Sequence, residues 1–161
     1  MILVFFRQIE NSFAAPRWFL SKDQTDGSGA MQQRSRTAPH VLLVEDEAMI
    51  SAMTAMALAE LGCEVHTVST GAAALRHLRD GAPVDVLFTD LNLADPVGGE
   101  TVARCARVLR PDLPVAYASG TAAGVADPVP GSVFFAKPYA VDKVCDTLMR
   151  MAEHNCHSGA R

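Results

Sequence analysis

From His40 onward the hydrophobic pattern changes period repeatedly, and always in the same order. Val41-Leu42-Leu43-Val44 is a short apolar run ending in acids, the pattern of a strand buried on both faces of a parallel sheet. A helix is predicted over Ala48 to Leu61, with Met49, Met53, Met56 and Leu61 near one face and Gly62 as its terminating glycine. Val65 to Val68 reads as a second strand, and Gly71 to Arg79 as a helix with Leu75 and Leu78 on one side, stopped by Gly81-Ala82-Pro83. Val84 to Thr89 is the third strand and meets Asp90. Val102, Ala106 and Leu109 mark a helix closed by Arg110-Pro111, followed by a fourth strand, Pro114 to Ala118, and a fifth, Val133 to Ala136. Val141, Val144, Leu148 and Met151 carry the last helix, which is expected to end at Glu153. Strand alternates with helix throughout, which implies a right-handed parallel α/β sheet with helices on both faces. The weak element is Thr121 to Ser132, where Gly124, Pro128, Pro130 and Gly131 oppose a full helix at about 3 kcal/mol for each interior proline.

Upstream of this pattern the composition splits. Residues 1–21 hold four of the seven Phe and the only Trp, whereas residues 22–38 contain no Leu, Ile, Val or aromatic side chain and cannot bury enough surface to order themselves. The second stretch reads as a linker within an N-terminal extension, residues 1–39. Two readings of Ile2 to Leu20 stay open: residues upstream of a true start at Met31, or a short amphipathic partner- or membrane-docking segment. With 161 residues the chain is long enough for one domain, and although 25 of them are alanine, an apolar fraction of 49% still fills one core.

Charge and cysteine usage narrow the function. A net charge of −4 with no basic patch argues against a nucleic-acid partner. Cys63, Cys105, Cys145 and Cys156 form no Cys-x-x-Cys pair, so neither a disulfide scaffold nor a structural zinc site is indicated. The first three sit beside apolar positions and are expected to be small core residues. His66 and His77 have no nearby partner in sequence, and His154-Asn155-Cys156-His157 reads as a frayed tail, residues 154–161, rather than a metal site. No stretch approaches 18 consecutive apolar residues, so no membrane association is expected and the location is expected to be cytoplasmic.

In an open parallel α/β sheet, ligands bind beyond the carboxyl ends of the strands, so the strand-ending residues form one set. Here they are Glu45, Asp46 and Glu47, then Asp90, then Ser119, then Lys137-Pro138. Carboxylates brought together in this way repel one another unless a cation compensates, and a hard divalent ion with oxygen ligands, Mg²⁺, meets that need. A dinucleotide or phosphate-binding loop would need glycines where Glu45-Asp46-Glu47 stands. A serine hydrolase would need a Gly-x-Ser-x-Gly elbow and a histidine partner, and Ser119 has neither.

Residues 40–153 resemble the receiver domain of bacterial two-component response regulators. The resemblance rests on Val44-Glu45-Asp46-Glu47, on Asp90 after an apolar strand, on Ser119 after the next, and on Lys137-Pro138-Tyr139 before the last helix. It implies a flavodoxin-like, doubly wound five-stranded parallel sheet in the order 2-1-3-4-5. It further implies that Asp90 is the phosphoacceptor, that Glu45, Asp46, Asp90 and the backbone carbonyl of Asn92 hold Mg²⁺, that Ser119 and Lys137 contact the phosphoryl group, and that Phe134 is an aromatic switch. The implied partners are a histidine kinase or phosphotransfer protein and a downstream effector protein.

Two family positions differ: Glu45 stands where aspartate is commoner, and Ser119 where threonine is. Tyr117-Ala118-Ser119-Gly120 is similar to the Phe-Ala-Thr-Gly stretch of a subgroup of alphaproteobacterial single-domain regulators, whose fourth helix is also short or irregular. Eight residues after Glu153 leave no room for an output domain, so a stand-alone regulator is expected, signalling by protein contact or draining phosphoryl groups as a sink. Two alternatives are a small Mg²⁺-dependent phosphatase with an aspartyl nucleophile and a non-phosphorylated pseudo-receiver. The phosphatase would want a second aspartate two residues after its nucleophile, where Asn92 stands. The chain is therefore not expected to be an enzyme beyond its own phosphorylation and dephosphorylation.

Overall fold

A computed structural model describes residues 38–120 and 125–158, with side chains as far as Glu153. The readings made for residues 1–37 of the N-terminal extension, for the side chains of His154, Cys156 and His157, and for residues 121–124 fall outside these described residues.

Five parallel strands, β1 (His40–Val44), β2 (Glu64–Val68), β3 (Val86–Asp90), β4 (Val115–Ser119) and β5 (Val133–Ala136), form one sheet in the order β2-β1-β3-β4-β5. Between and after them lie α1 (Ala48–Glu60), α2 (Gly71–Arg79), α3 (Gly99–Leu109) and α4 (Val141–Ser158). The register aligns Val41 with Val86 and Leu87 with Val115, so the three central strands end together.

The near-continuous apolar runs of β1, β3 and β4 serve both faces of the sheet, because successive side chains point to opposite sides. Leu42, Val44, Leu87, Val115 and Tyr117 pack against Ala74, Leu75 and Leu78 of α2 and Val102, Ala103 and Ala106 of α3. Val41, Leu43, Val86, Phe88 and Ala116 pack against Leu58 of α1 and Val144, Cys145, Leu148 and Ala152 of α4. Cys63 and Cys145 are buried, as expected of small core residues, and burial pushes the Cys145 thiol up to about 11, which keeps it protonated.

Three expectations need correction. The face of α1 is rotated: Met49, Met53 and Met56 are exposed at 77%, 56% and 65%, while Thr54 and Leu58 are the buried positions. Alanines fill most of the remaining positions of this helix, and they fit either face, so the methionines dominated the pattern without marking the core. Of Val102, Ala106 and Leu109, the residues that mark α3 in the sequence, the first two are buried and Leu109 is exposed at the last residue of the helix. The last helix does not stop at Glu153 but runs on to Ser158.

Among the described residues no helix stands between β4 and β5, in keeping with the prolines and glycines there. Residues 125–132 are held instead by side chains from neighbouring elements. The Val129 N–H donates to the buried Tyr117 hydroxyl at 3.4 Å, Arg107 Nη2 donates to the Pro130 carbonyl at 2.7 Å, and Arg104 pairs with Asp127 at 3.5 Å. His66 and His77, which had no partner in sequence, stack ring on ring with centroids 3.9 Å apart.

Candidate phosphoacceptor site

The site forms where β1, β3, β4 and β5 end. Asp90 closes β3 and is only 6% exposed. The Asn92 N–H donates to Asp90 Oδ1 at 2.9 Å, and Thr89 Oγ1 donates to the Asp90 carbonyl at 3.0 Å. Gly99, the first residue of α3, lies directly behind: a Cβ placed there would sit 1.9 Å from the Asp90 carbonyl oxygen. Only glycine permits that approach. The Gly98-Gly99 pair is the sequence signal for it.

Lys137 reaches in from the end of β5, where its peptide bond to Pro138 is cis. Its Nζ donates to Asp90 Oδ2 at 2.6 Å and to Glu45 Oε2 at 2.9 Å, with Glu47 Oε1 at 3.8 Å. Burial alone would favour neutral lysine, but the hydrogen bonds that the ammonium donates to Asp90 and Glu45, together with the charges of these carboxylates, outweigh it and hold the ammonium form well above the ordinary range. The Glu45 carboxyl moves in the opposite sense to most paired acids: burial pushes it up, against the lowering effect of Lys137 and the Glu47 amide.

Glu45, Asp46 and Asp90 each offer a carboxylate oxygen, and these atoms lie within 4.8 Å of one another. Asp46 is steered by the Ala94 N–H, which donates to Oδ2 at 2.8 Å. Three hard anionic donors this close fit a small divalent cation such as Mg²⁺. Ser119 is buried at the end of β4, and the Asn92 side-chain amide donates to its hydroxyl at 3.0 Å. Asn92 therefore touches both Asp90 and Ser119, a bridging role not visible in sequence, where only its carbonyl was singled out. Phe134 lies on β5 with 38% of its surface exposed, its ring outside the core.

Two openings flank the acids. One, of about 500 Å³, is lined by Glu47, Ile50, Met53, Lys137, Pro138 and Tyr139, among others. The other, of about 420 Å³, is bordered by Glu45, Asp46, Ser51, Thr67 and Ser69, among others. The acids are thus reachable from solvent while Asp90 stays recessed.

The sequence model described as the response regulator receiver domain matches residues 41–147. The chain belongs to the response regulator receiver family. Among solved structures, a response regulator receiver protein from Sinorhizobium medicae WSM419 is 32% identical, with a TM-score of 0.70 over 73% of this chain and 97% of that one. The receiver domain of the hybrid histidine kinase CckA is 25% identical, with a TM-score of 0.62 over 70% of this chain and 98% of that one. NtrX from Brucella abortus is 25% identical, with a TM-score of 0.64 over 75% of this chain but only 28% of that longer one. The expected fold and strand order are those observed. Among the described residues, no helix is long and apolar enough to cross a membrane.

Proposed function

We propose that Asp90 accepts a phosphoryl group from phosphohistidine on a histidine kinase or phosphotransfer protein, with Mg²⁺ held by Glu45, Asp46, Asp90 and the Asn92 carbonyl. The observation that carries this reading is the recessed Asp90 carboxylate with Lys137 Nζ 2.6 Å away and two further acids beside it. Asp90 attacks phosphorus in line, the P–N bond breaks as the P–O bond forms, and the electron pair leaves on the imidazole. Transfer of this kind needs positioning and charge neutralisation more than covalent help. The Asn92 N–H orients the nucleophile, the Lys137 ammonium moves with the incoming equatorial oxygens, and the Ser119 hydroxyl is poised to follow the phosphoryl group. A bound Mg²⁺ supplies further neutralisation of phosphoryl charge.

The exposed methionine face of α1 continues into the opening beside Lys137 and suits an apolar helix of the phosphodonor protein, since flexible thioethers adapt to varied partners. Phosphorylation draws Ser119 toward the phosphoryl group, and Phe134 turns inward in response. The changed surface then contacts a downstream effector in the cytoplasm, or the chain serves as a phosphate sink. The phosphatase alternative is disfavoured because Asn92 cannot act as a general acid, and the pseudo-receiver alternative because every acid and Lys137 is present and gathered. Label transfer from a phosphorylated histidine kinase tests the proposal: Mg²⁺-dependent transfer that EDTA stops supports it. A chain left unlabelled by kinases and by small phosphodonors alike would contradict it.

A further inference from the structure

Glu47 plays no part in the transfer chemistry just described, yet it stands over the site. It precedes α1, its N–H donates to Glu45 Oε1 at 3.2 Å, and its side chain makes no capping hydrogen bond to the helix. The carboxylate is 64% exposed, borders the 500 Å³ opening together with Lys137, and lies 3.8 Å from the Lys137 ammonium. Glu45 and Asp90 already pair with that one ammonium and Asp46 lies beside them, so Glu47 adds a further negative charge, and it does so at the mouth rather than at the base.

We propose that Glu47 is a specificity-determining residue, which disfavours free, doubly charged acyl phosphates relative to phosphodonors that bring a positive charge of their own. The inference rests on the phosphoacceptor reading of Asp90. A donor entering through this mouth passes Glu47 before its phosphorus reaches Asp90, so the penalty grows with the donor's net negative charge. At a separation of about 6 Å in a water-like medium, the repulsion slows a monoanion about threefold and a dianion about tenfold. A protein donor offsets this with a lysine or arginine beside its phosphohistidine, which pairs with Glu47 and favours the correct encounter.

Two small donors separate charge from shape. Acetyl phosphate is a dianion at neutral pH, whereas phosphoramidate carries an ammonium and is a net monoanion. Labelling rates with Mg²⁺ at low ionic strength should rise about tenfold for acetyl phosphate and about threefold for phosphoramidate in Glu47→Gln, so the ratio of the two rates moves. Glu47→Asp, which keeps the charge, should keep the wild-type ratio, and added salt should bring wild type toward the Gln variant. A merely structural role would change both donors by one factor. An unmoved ratio, or a ratio lost equally in the Asp variant, overturns the inference while leaving Asp90 as acceptor. Wild type labelled by neither donor overturns the acceptor reading and this inference with it.

Discussion

Replacing Lys137 with methionine keeps the stem and removes the one ammonium lying between Asp90 Oδ2 and Glu45 Oε2, at 2.6 and 2.9 Å. Both partners are almost fully buried, so two carboxylates would face each other without a counter-ion. Removing one member of a buried pair costs about 3–5 kcal/mol when the other is left enclosed and charged. Here the neighbouring opening admits water and the acids can take up protons, so the expected loss is about 2–3 kcal/mol near neutral pH. The sign of the pH dependence follows from Glu45. Burial already raises its carboxyl above the ordinary value in the folded protein, and loss of the ammonium raises it further. The folded variant therefore binds protons more tightly than the unfolded chain, and its deficit should shrink as pH falls from about 7.5 toward about 5. Adding Glu45→Gln to the variant should recover part of the loss at neutral pH. Urea denaturation of wild type and the two variants across that range measures all of this. A Lys137→Met protein within about 0.5 kcal/mol of wild type at neutral pH, with a parallel pH profile, would refute the buried-pair account.

Three further outcomes are expected. Leu58→Ala should cost about 2–5 kcal/mol in urea melts and Met53→Ala less than about 1, the reverse of what the methionine pattern suggests. Gly99→Ala should prevent labelling of Asp90 or prevent folding, because the added methyl would overlap the Asp90 carbonyl, and circular dichroism with labelling separates the two. Tyr117→Phe should cost about 1 kcal/mol and speed amide exchange at Val129, whose N–H loses its acceptor; unchanged exchange there would mean that the 125–132 segment is held some other way.

Much of the fold was legible because β1, β3 and β4 are buried on both sides and so appear as near-continuous apolar runs, each leading into the residue that matters chemically. That same rule drew Glu45, Asp46, Asp90, Ser119 and Lys137 to one place before any geometry was known. The face of α1 was not legible, because alanine marks neither inside nor outside and the methionines face outward. The Arg104, Arg107 and Tyr117 ties to residues 125–132 span 12 to 23 positions in sequence and have no local period to betray them. Asn92 was read for its carbonyl, and only the fold could bring its amide to Ser119 across the gap between β3 and β4.

The central claim is that Asp90 is where the phosphoryl group lands. Its most direct test is intact-mass and peptide analysis after incubation with acetyl phosphate and Mg²⁺, compared between wild type and Asp90→Asn. The account predicts a single added phosphoryl group, mapped to Asp90, released by hydroxylamine as an acyl phosphate should be, and absent from the variant. A phosphoryl group that persists in Asp90→Asn, or one on wild type that hydroxylamine does not release, would contradict it.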